Sequence, residues 1–400
     1  MYKTSYLERV SRKSERYSAQ HGTSPWKACF RFWLWSIAQM FYFPRAMRPK
    51  ADETCRVGFW LTGGIGDVLV ALNYLQNLHK RFDGAFDLDV YVRNKRGLHE
   101  TVKTLCRDQD FVKQVLPLSK LKRDYDLYIK MVRYVEIISF NKTKIGKLYP
   151  AFHQWCLTIN EFHKEHPIAF RYSTHGDYIG NKLAVLQGRN RLQQADIGEI
   201  VKVESIFQPK IVVDKHETFA KFSLENKRFI TIQRGVGAGD RNDSTRLWPL
   251  EYYETLVRLI KERVPEVCVV QVGTLRNTPI SGIDVDLRGK TTFDEIMVLM
   301  READCHVDGE CGLVHLRHFL RGGPSVVLFG PTEKQFYGYE ENINIQSDAC
   351  EGGCEWITPE YAQKCPRGFT ENVCLTSLMP ETVLEHILEA GIFVRRPGSF

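Results

Sequence analysis

The stretch RVGFWLTGGIGDVLVALNYLQNLHKR, residues 56–81, decides the fold of this chain. Residues 56–62 predict a buried strand, because they are largely apolar and run straight into a glycine-rich turn. Residues 67–81 repeat apolar side chains at helical spacing, so a helix is expected directly after the turn. A strand that passes through glycines into a helix is the opening unit of a parallel, doubly wound sheet.

The same alternation of strand and helix continues along most of the chain. It predicts strands at 88–92, 126–132, 228–233, 267–272, 284–287, 304–307 and 325–329, and helices at 97–106, 250–263, 292–301 and 312–320. Residues 134–208 are harder to divide, and their helical stretches at 152–162 and 177–186 are interpreted as substrate-facing insertions. Two Rossmann-like halves in tandem predict an α/β protein of GT-B architecture, whose active site lies in the cleft between the halves.

This pattern divides the chain into four parts. An N-terminal arm, 1–50, precedes a first Rossmann-like domain, 51–215, and a second one, 226–385. A tail, 386–400, completes the chain, and the join near 209–227 is the expected hinge.

The net charge of +7 is concentrated in the arm. Of 55 basic and 48 acidic residues, the arm holds ten and two, so it carries +8 and the remaining 350 residues carry −1. Because nucleic-acid-binding proteins cluster basic residues on a folded domain, no nucleic-acid partner is expected. No run of about 20 apolar residues, the length that crosses a bilayer, is present.

Apolar residues in the arm predict an amphipathic helix within 26–43. They fall at helical spacing and end before Pro44: Trp26, Phe30, Trp33, Leu34, Ile37, Met40 and Phe41. A basic, aromatic helix of this kind binds a membrane surface that contains anionic lipid. The alternative is that its aromatic face docks on the protein body or on another subunit. Seven of the eleven cysteines are scattered among the core elements, which is typical of reduced thiols in a cytoplasmic protein.

The turn after the first strand contains the first candidate site residues, Gly64, Gly66 and Asp67. Glycines bring the backbone close to a ligand, and a helix N-terminus favours anions. In the cleft, the Asp67 carboxylate is placed to accept a proton from an acceptor hydroxyl as a general base. The alternative is that Asp67 only caps its helix. The glycine spacing does not match the dinucleotide-binding fingerprint.

A second set follows the strand at 228–233. Arg234, Gly235, Gly237 and Arg246 combine backbone amides with cationic side chains, which together suit a diphosphate. The alternative is a solvated linker before the next helix. A third set, Glu310, Cys311, Gly312 and His315, opens a helix at the carboxyl edge of the second sheet, where such sheets bind ligands.

These motifs, in their order and spacing, resemble those of glycosyltransferase family 9, the bacterial heptosyltransferases. The resemblance covers roughly residues 56–385 and rests on four segments: Gly66-Asp67, Arg246-Leu-Trp-Pro249, Glu310-Cys-Gly-Leu-Val-His315 and Phe329-Gly-Pro-Thr332. It implies an inverting GT-B enzyme that uses ADP-heptose or a related nucleotide sugar. It also implies that Asp67 is the catalytic base and that Arg246, Gly312 and His315 line the donor diphosphate. The family usually has Lys at the position of Arg246 and Asp at that of Glu310, so the donor sugar is open.

Four cysteines crowd near the C-terminus, at Cys350, Cys354, Cys365 and Cys374. Their number and their interleaving with glycine and proline predict tetrahedral thiolate coordination of zinc or iron. Four sulfur ligands leave no open position, so the metal would be structural and no catalytic metal is expected. The cluster is similar to that of the autotransporter heptosyltransferases, in which the metal is iron.

The sequence therefore predicts a glycosyltransferase that binds its acceptor on the first domain and its nucleotide-sugar donor on the second. The expected acceptor is a surface glycan or glycolipid such as lipopolysaccharide core, and the enzyme is expected in the cytoplasm, peripheral on the inner membrane. One alternative is a protein O-heptosyltransferase, with the arm and the cysteines in acceptor or subunit contacts. Others are a nucleotide-sugar epimerase and a non-catalytic sugar-nucleotide-binding scaffold, because fold alone does not separate these functions.

Overall fold

The computed structural model describes residues 54–393, apart from 85, 94–96, 121–124, 132, 167–175 and 236–243, together with Ser24, Trp26, Lys27 and Phe30. The rest of the predicted arm helix, 26–43, lies outside the described residues. Trp26, Lys27 and Phe30 are helical and exposed. No described helix has the length and apolar character that crossing a membrane requires.

The first domain is built on a five-stranded sheet of order β3-β2-β1-β4-β5. Its strands are β1 (Cys55–Leu61), β2 (Phe86–Val92), β3 (Gln114–Pro117), β4 (Leu127–Met131) and β5 (Val135–Phe140). All neighbours are parallel except β5, which runs antiparallel to β4. Its helices are α1 (Ile65–Arg81), α2 (Leu98–Leu105), α3 (Lys142–Leu148), α4 (Pro150–Glu165) and α5 (Gly176–Leu186).

The second domain contains a six-stranded parallel sheet of order β11-β10-β9-β6-β7-β8. Its strands are β6 (Arg228–Ile232), β7 (Val267–Gln271), β8 (Val285–Asp286), β9 (His306–Gly309), β10 (Ser325–Phe329) and β11 (Ile343–Gln346). Its helices are α6 (Lys215–Phe222), α7 (Leu250–Arg263), α8 (Phe293–Glu302), α9 (Gly312–Phe319), α10 (Lys334–Tyr337), α11 (Val373–Thr376) and α12 (Pro380–Glu389). Two Rossmann-like domains therefore form the α/β architecture that the sequence predicts.

Three features differ from the prediction. Helix α4, within the stretch interpreted as substrate-facing, is a core helix that buries Phe152 and Trp155. The expected hinge contains α6, which packs on the second domain through an edge contact between Phe219 and Phe229. The predicted tail begins inside α12, because apolar Ile387 continues the buried face of that helix.

The strand order of each sheet determines where a ligand can bind. Chain order reverses between β1 and β4 in the first sheet and between β6 and β9 in the second. Open α/β sheets bind ligands at such switch points, beyond the carboxyl ends of the strands. The segments that leave these four strands contain Asp67, Arg133, Arg234 and Glu310. The topology therefore places one candidate residue of each predicted set at a switch point.

Candidate functional site

Asp67 lies in the first turn of α1 and makes two separate contacts. Its Oδ2 accepts a hydrogen bond from the Gly64 amide at 3.0 Å, which caps the helix. Its Oδ1 lies 2.7 Å from Nη2 of Arg191, and the Asp67 side chain is 22% exposed. The capping interpretation is thus confirmed, yet a second oxygen remains at the cleft with a cationic partner. Capping and proton transfer are therefore compatible roles for one carboxylate.

Arg191 is a functional candidate that the sequence does not reveal. It belongs to the turns after α5, its side chain is 2% exposed, and its amide donates to the Phe336 carbonyl of the second domain at 2.8 Å. It thus joins the Asp67 turn to the second domain. A guanidinium that is hydrogen bonded to a carboxylate fixes the orientation of that carboxylate.

Gly66 and Gly312 allow the N-termini of α1 and α9 to approach each other. A Cβ on Gly66 would overlap the imidazole of His315, and one on Gly312 would overlap the side chain of Ile65. The sequence assigns these glycines to ligand approach. Their tightest neighbours are instead residues of the opposite domain, which brings the Asp67 turn directly against His315.

Substituting Gly66 by alanine is therefore expected to destabilise the protein by about 1–3 kcal/mol, because the added methyl must displace an anchored ring. The His315 ring is held by Tyr339 and Glu310, at 2.6 and 3.3 Å. Chemical unfolding of the variant measures the loss. Gly64→Ala is the matched control, since a Cβ there meets nothing within 4 Å. Equal stability of both variants would contradict the close approach.

Arg246, Glu310 and His315 form one hydrogen-bonded group at the edge of the second sheet. Nη2 of Arg246 donates to the Glu310 carbonyl at 2.8 Å and to its Oε2 at 2.7 Å. Burial opposes ionisation of Glu310, but the His315 hydrogen bond and the Arg246 charge lower its pKa to about 2. Burial alone would lower the pKa of Arg246, but the nearby Glu310 carboxylate raises it. Both groups are therefore charged at neutral pH.

The other residues that the sequence predicts to bind the nucleotide-sugar donor lie outside the group of Arg246, Glu310 and His315. Nε of Arg234 donates to the Trp248 carbonyl at 3.1 Å, which anchors its guanidinium beside the strand ends. Gly235 has a φ of 146°, a conformation that favours glycine. Gly237 lies outside the described residues. The Cys311 thiol donates to Asp308 Oδ2 at 2.8 Å and so turns away from Glu310.

Asp308 and Cys311 also form a compact buried group with His306. Their candidate ligand atoms all lie within 4.8 Å of one another. Asp308 accepts from Cys311, and His306 Nδ1 is hydrogen bonded to Thr231 at 3.0 Å. Burial raises the pKa of Asp308. The three residues thus form a packed polar cluster of the second core, in which Nε2 of His306 lies 3.4 Å from Oδ2 of Asp308.

The four C-terminal cysteines lie between residues 350 and 374, but they do not form a metal-ligand group; among the described residues that group is His306, Asp308 and Cys311. Burial, together with the charges of Cys350, Cys354 and Cys365, raises the pKa of Cys374, which also shares a hydrogen bond with Cys350. Burial and then Cys365 raise the pKa of Cys354 to about 11. All ten described cysteines are free thiols. A bound cation would favour the deprotonated form of such thiols.

Glu355 follows Cys354 in the chain, and its side chain lies in the cleft between the two domains. It is not among the site residues that the sequence predicts. It is 1% exposed, and burial raises its pKa to about 7. Asn181 of α5 donates to its Oε1 at 2.9 Å, and the Tyr337 hydroxyl donates to its Oε2 at 3.3 Å. The predicted insertion at 177–186 thus reaches the cleft from the first domain.

Comparison with known proteins agrees with this geometry. The family model described as glycosyltransferase family 9 (heptosyltransferase) matches residues 170–367. No curated protein sequence matches the chain significantly.

Three solved structures share the fold. The ADP-heptose lipopolysaccharide heptosyltransferase II of E. coli is 17% identical with a TM-score of 0.52, over 84% of this chain and 98% of that one. A family 9 glycosyl transferase from Veillonella parvula is 13% identical with a TM-score of 0.53, over 86% and 98%. The dodecameric iron-containing heptosyltransferase TibC, from enterotoxigenic E. coli and in complex with ADP-D-beta-D-heptose, is 13% identical with a TM-score of 0.53, over 87% and 81%.

The family match includes Arg191, Arg246, Glu310 and His315, and the likeness in fold covers both domains. Of these, Arg246, Glu310 and His315 form the group at the edge of the second sheet, and Arg191 contacts Asp67 of the first domain. The chain therefore resembles glycosyltransferase family 9 over residues 170–367.

Proposed function

We propose that this glycosyltransferase moves a heptose from an ADP-linked donor to a surface-glycan acceptor such as lipopolysaccharide core, with inversion at the anomeric carbon. The observation that carries the proposal is the meeting of two charged groups across the cleft. Asp67 with Arg191 lies on one side, Arg246 with Glu310 and His315 lies on the other, and Gly66 abuts His315. One group suits an attacking hydroxyl and the other a departing diphosphate.

In this scheme the acceptor hydroxyl oxygen attacks the anomeric carbon of the sugar. The hydroxyl proton passes to the free lone pairs of Asp67 as the new carbon–oxygen bond forms. The bond from the anomeric carbon to the β-phosphate oxygen breaks, and the nucleoside diphosphate leaves with that electron pair. Arg246 and the amides at the start of α9 offset the developing charge. Arg191 keeps the Asp67 carboxylate oriented toward the hydroxyl.

The four cysteines would hold a structural zinc or iron in this proposal. Four cysteine thiolates are a donor set that both metals accept. A bound metal would cross-link the loop and would take no part in the reaction at the sugar. TibC is iron-containing, which makes iron the first metal to assay.

Contact with a membrane surface through 26–43 forms part of the same proposal. Trp26 is 80% exposed and Phe30 51% exposed, with exposed Lys27 between them. Exposed aromatics beside basic residues suit a headgroup region that contains anionic lipid. Such contact would bring the enzyme to a lipid-linked acceptor on the cytoplasmic face.

Transfer to a protein acceptor is the second candidate, and the cysteine cluster favours it. The autotransporter heptosyltransferases have a similar cysteine cluster, and this chain has Cys350, Cys354, Cys365 and Cys374 within one short segment. Deletion of the gene separates the two acceptors. Altered lipopolysaccharide supports the glycan, whereas loss of a glycosylated protein with unchanged lipopolysaccharide supports the protein.

The first experiment measures binding and turnover across ADP-, GDP-, UDP- and CMP-linked sugars with purified protein. ADP-heptose is expected to bind most tightly and to be consumed only when an acceptor is supplied. A changed sugar configuration without an acceptor would indicate an epimerase. Binding without any turnover in the presence of bacterial glycan and protein extracts would indicate a scaffold. Binding of none of the donors would contradict the proposal.

A further inference from the structure

Thr245 is held by hydrogen bonds on three sides. Its hydroxyl donates to the Tyr361 carbonyl at 2.6 Å, and its amide donates to the Ala362 carbonyl at 3.4 Å. Its own carbonyl accepts from Nδ2 of Asn372 at 2.8 Å. Thr245 is 6% exposed, so these bonds are shielded from water. Shielded bonds of this kind fix a backbone segment more firmly than solvated ones.

All three partners belong to one segment, residues 350–374, which we call the cysteine loop. Asn372 is itself tied to the cluster, because the Cys374 thiol donates to its Oδ1 at 2.9 Å. A chain of contacts therefore runs from the Cys374 sulfur through Asn372 to Thr245. Gly330 closes the remaining side, since a Cβ there would lie 3.0 Å from the Thr245 carbonyl oxygen.

Thr245 directly precedes Arg246, within a 3₁₀ turn at Ser244–Arg246. The Arg246 guanidinium reaches Glu310 through a single nitrogen, Nη2, which makes both of its bonds to that residue. Where such a long side chain is hydrogen bonded through one terminal nitrogen, the position of its guanidinium also depends on the position of its backbone. A shift of about 1 Å at such a group can cost about a hundredfold in rate.

We infer that Thr245 is a positioning residue, and that the cysteine loop is the scaffold through which it aims Arg246 at the donor diphosphate. This inference rests on the proposed function, because it assumes that Arg246 contacts the nucleotide. The cysteine loop then contributes to the reaction by holding the Arg246 guanidinium in position at the donor site. Glu355 lies in the same loop and accepts a hydrogen bond from Asn181, which connects the loop to the first domain.

The test compares ADP binding by calorimetry in wild type, Thr245→Val and Thr245→Ser. Valine keeps the shape but removes the donor to the buried Tyr361 carbonyl, so ADP binding is expected to weaken about tenfold or more. Serine restores the hydroxyl and should bind nearly as wild type. Thr358→Val is the matched control, because Thr358 lies in the same loop but bonds to exposed Glu360 at 3.1 Å.

A double-mutant cycle with Arg246→Ala separates positioning from general structure. If Thr245 acts through Arg246, Thr245→Val weakens ADP binding in the wild-type background and adds nothing in the Arg246→Ala background. Equal losses in both backgrounds would overturn the inference. Asn372→Ala removes a second of the three hydrogen bonds without altering Thr245, and it should also weaken ADP binding, so it provides the test if Thr245→Val proves insoluble. Unchanged ADP affinity in either variant overturns the inference.

The outcomes also distinguish this inference from the proposed function. Wild-type protein that binds no ADP contradicts the proposed donor site. Wild-type protein that binds ADP, with variants that bind it equally well, leaves the donor site standing and contradicts only the role of Thr245.

Discussion

Replacing Asp67 by asparagine is expected to lower kcat for sugar transfer by about 10²- to 10⁴-fold, the range that general bases contribute. Asparagine has the same shape, and its Oδ1 can still accept from the Gly64 amide, which Asp67 Oδ2 does at 3.0 Å. It cannot take a proton from the acceptor hydroxyl. Affinity for ADP should change little, because the proposed donor contacts lie in the other domain. Transfer kinetics and calorimetry measure the two effects separately.

The substitution also removes the countercharge of Arg191, whose side chain is 2% exposed. Loss of this ion pair is expected to lower the stability of the protein. Combining Asp67→Asn with Arg191→Met should recover much of that stability without recovering transfer. Asp214→Asn is the matched control, since Asp214 caps α6 through the amides of His216 and Glu217, away from both switch points. Transfer by Asp67→Asn at the wild-type rate would exclude Asp67 as the base.

The parallel strands are the part of the fold that the sequence predicts best. A strand buried on both faces needs apolar residues without interruption, as in β7 and β10, where every residue is buried. The edge strands β3, β5 and β11 are not predicted. They are short, half-exposed and mixed in composition, so no continuous apolar run marks them.

The candidate site is predictable where chemistry coincides with a strand end. Glu310 and His315 follow β9 immediately, and the motif around them resembles one family. Arg191 and Asn181 are not predictable in this way. Arg191 pairs with Asp67 across 124 positions, and Asn181 bonds to Glu355 across 174. Contacts over such separations leave no periodicity in a single sequence.

Gly66 illustrates a different limit. A sequence shows that a side chain is absent, but it does not show what approaches the vacated space. A glycine in a turn before a helix favours a ligand interpretation, since anions bind there. The fold instead fills the space with His315 from the opposite domain. Small residues at domain contacts and at ligand contacts therefore look alike until the partner is known.

Replacing Arg246 by alanine is expected to lower kcat for transfer by about 10²- to 10³-fold, as loss of one preorganised donor at a developing charge does elsewhere. The alanine variant also loses both bonds to Glu310. Arg246→Lys should lie between wild type and alanine, because lysine keeps the charge but lacks the planar fork. Steady-state kinetics of the three proteins at saturating donor measure this order.

Stability and activity, measured together, distinguish a role of Arg246 in sugar transfer from a role in balancing the charge of Glu310. Arg246→Ala leaves a largely buried carboxylate without its cation, whereas Arg246→Met with Glu310→Met removes both charges and should regain stability. If Arg246 serves the departing diphosphate, the double variant stays inactive although it folds well. Arg258→Ala is the control, since its 2.7 Å pair with Glu262 is 59% and 55% exposed and such pairs contribute little. Recovery of transfer in the double variant would show that Arg246 only balances Glu310.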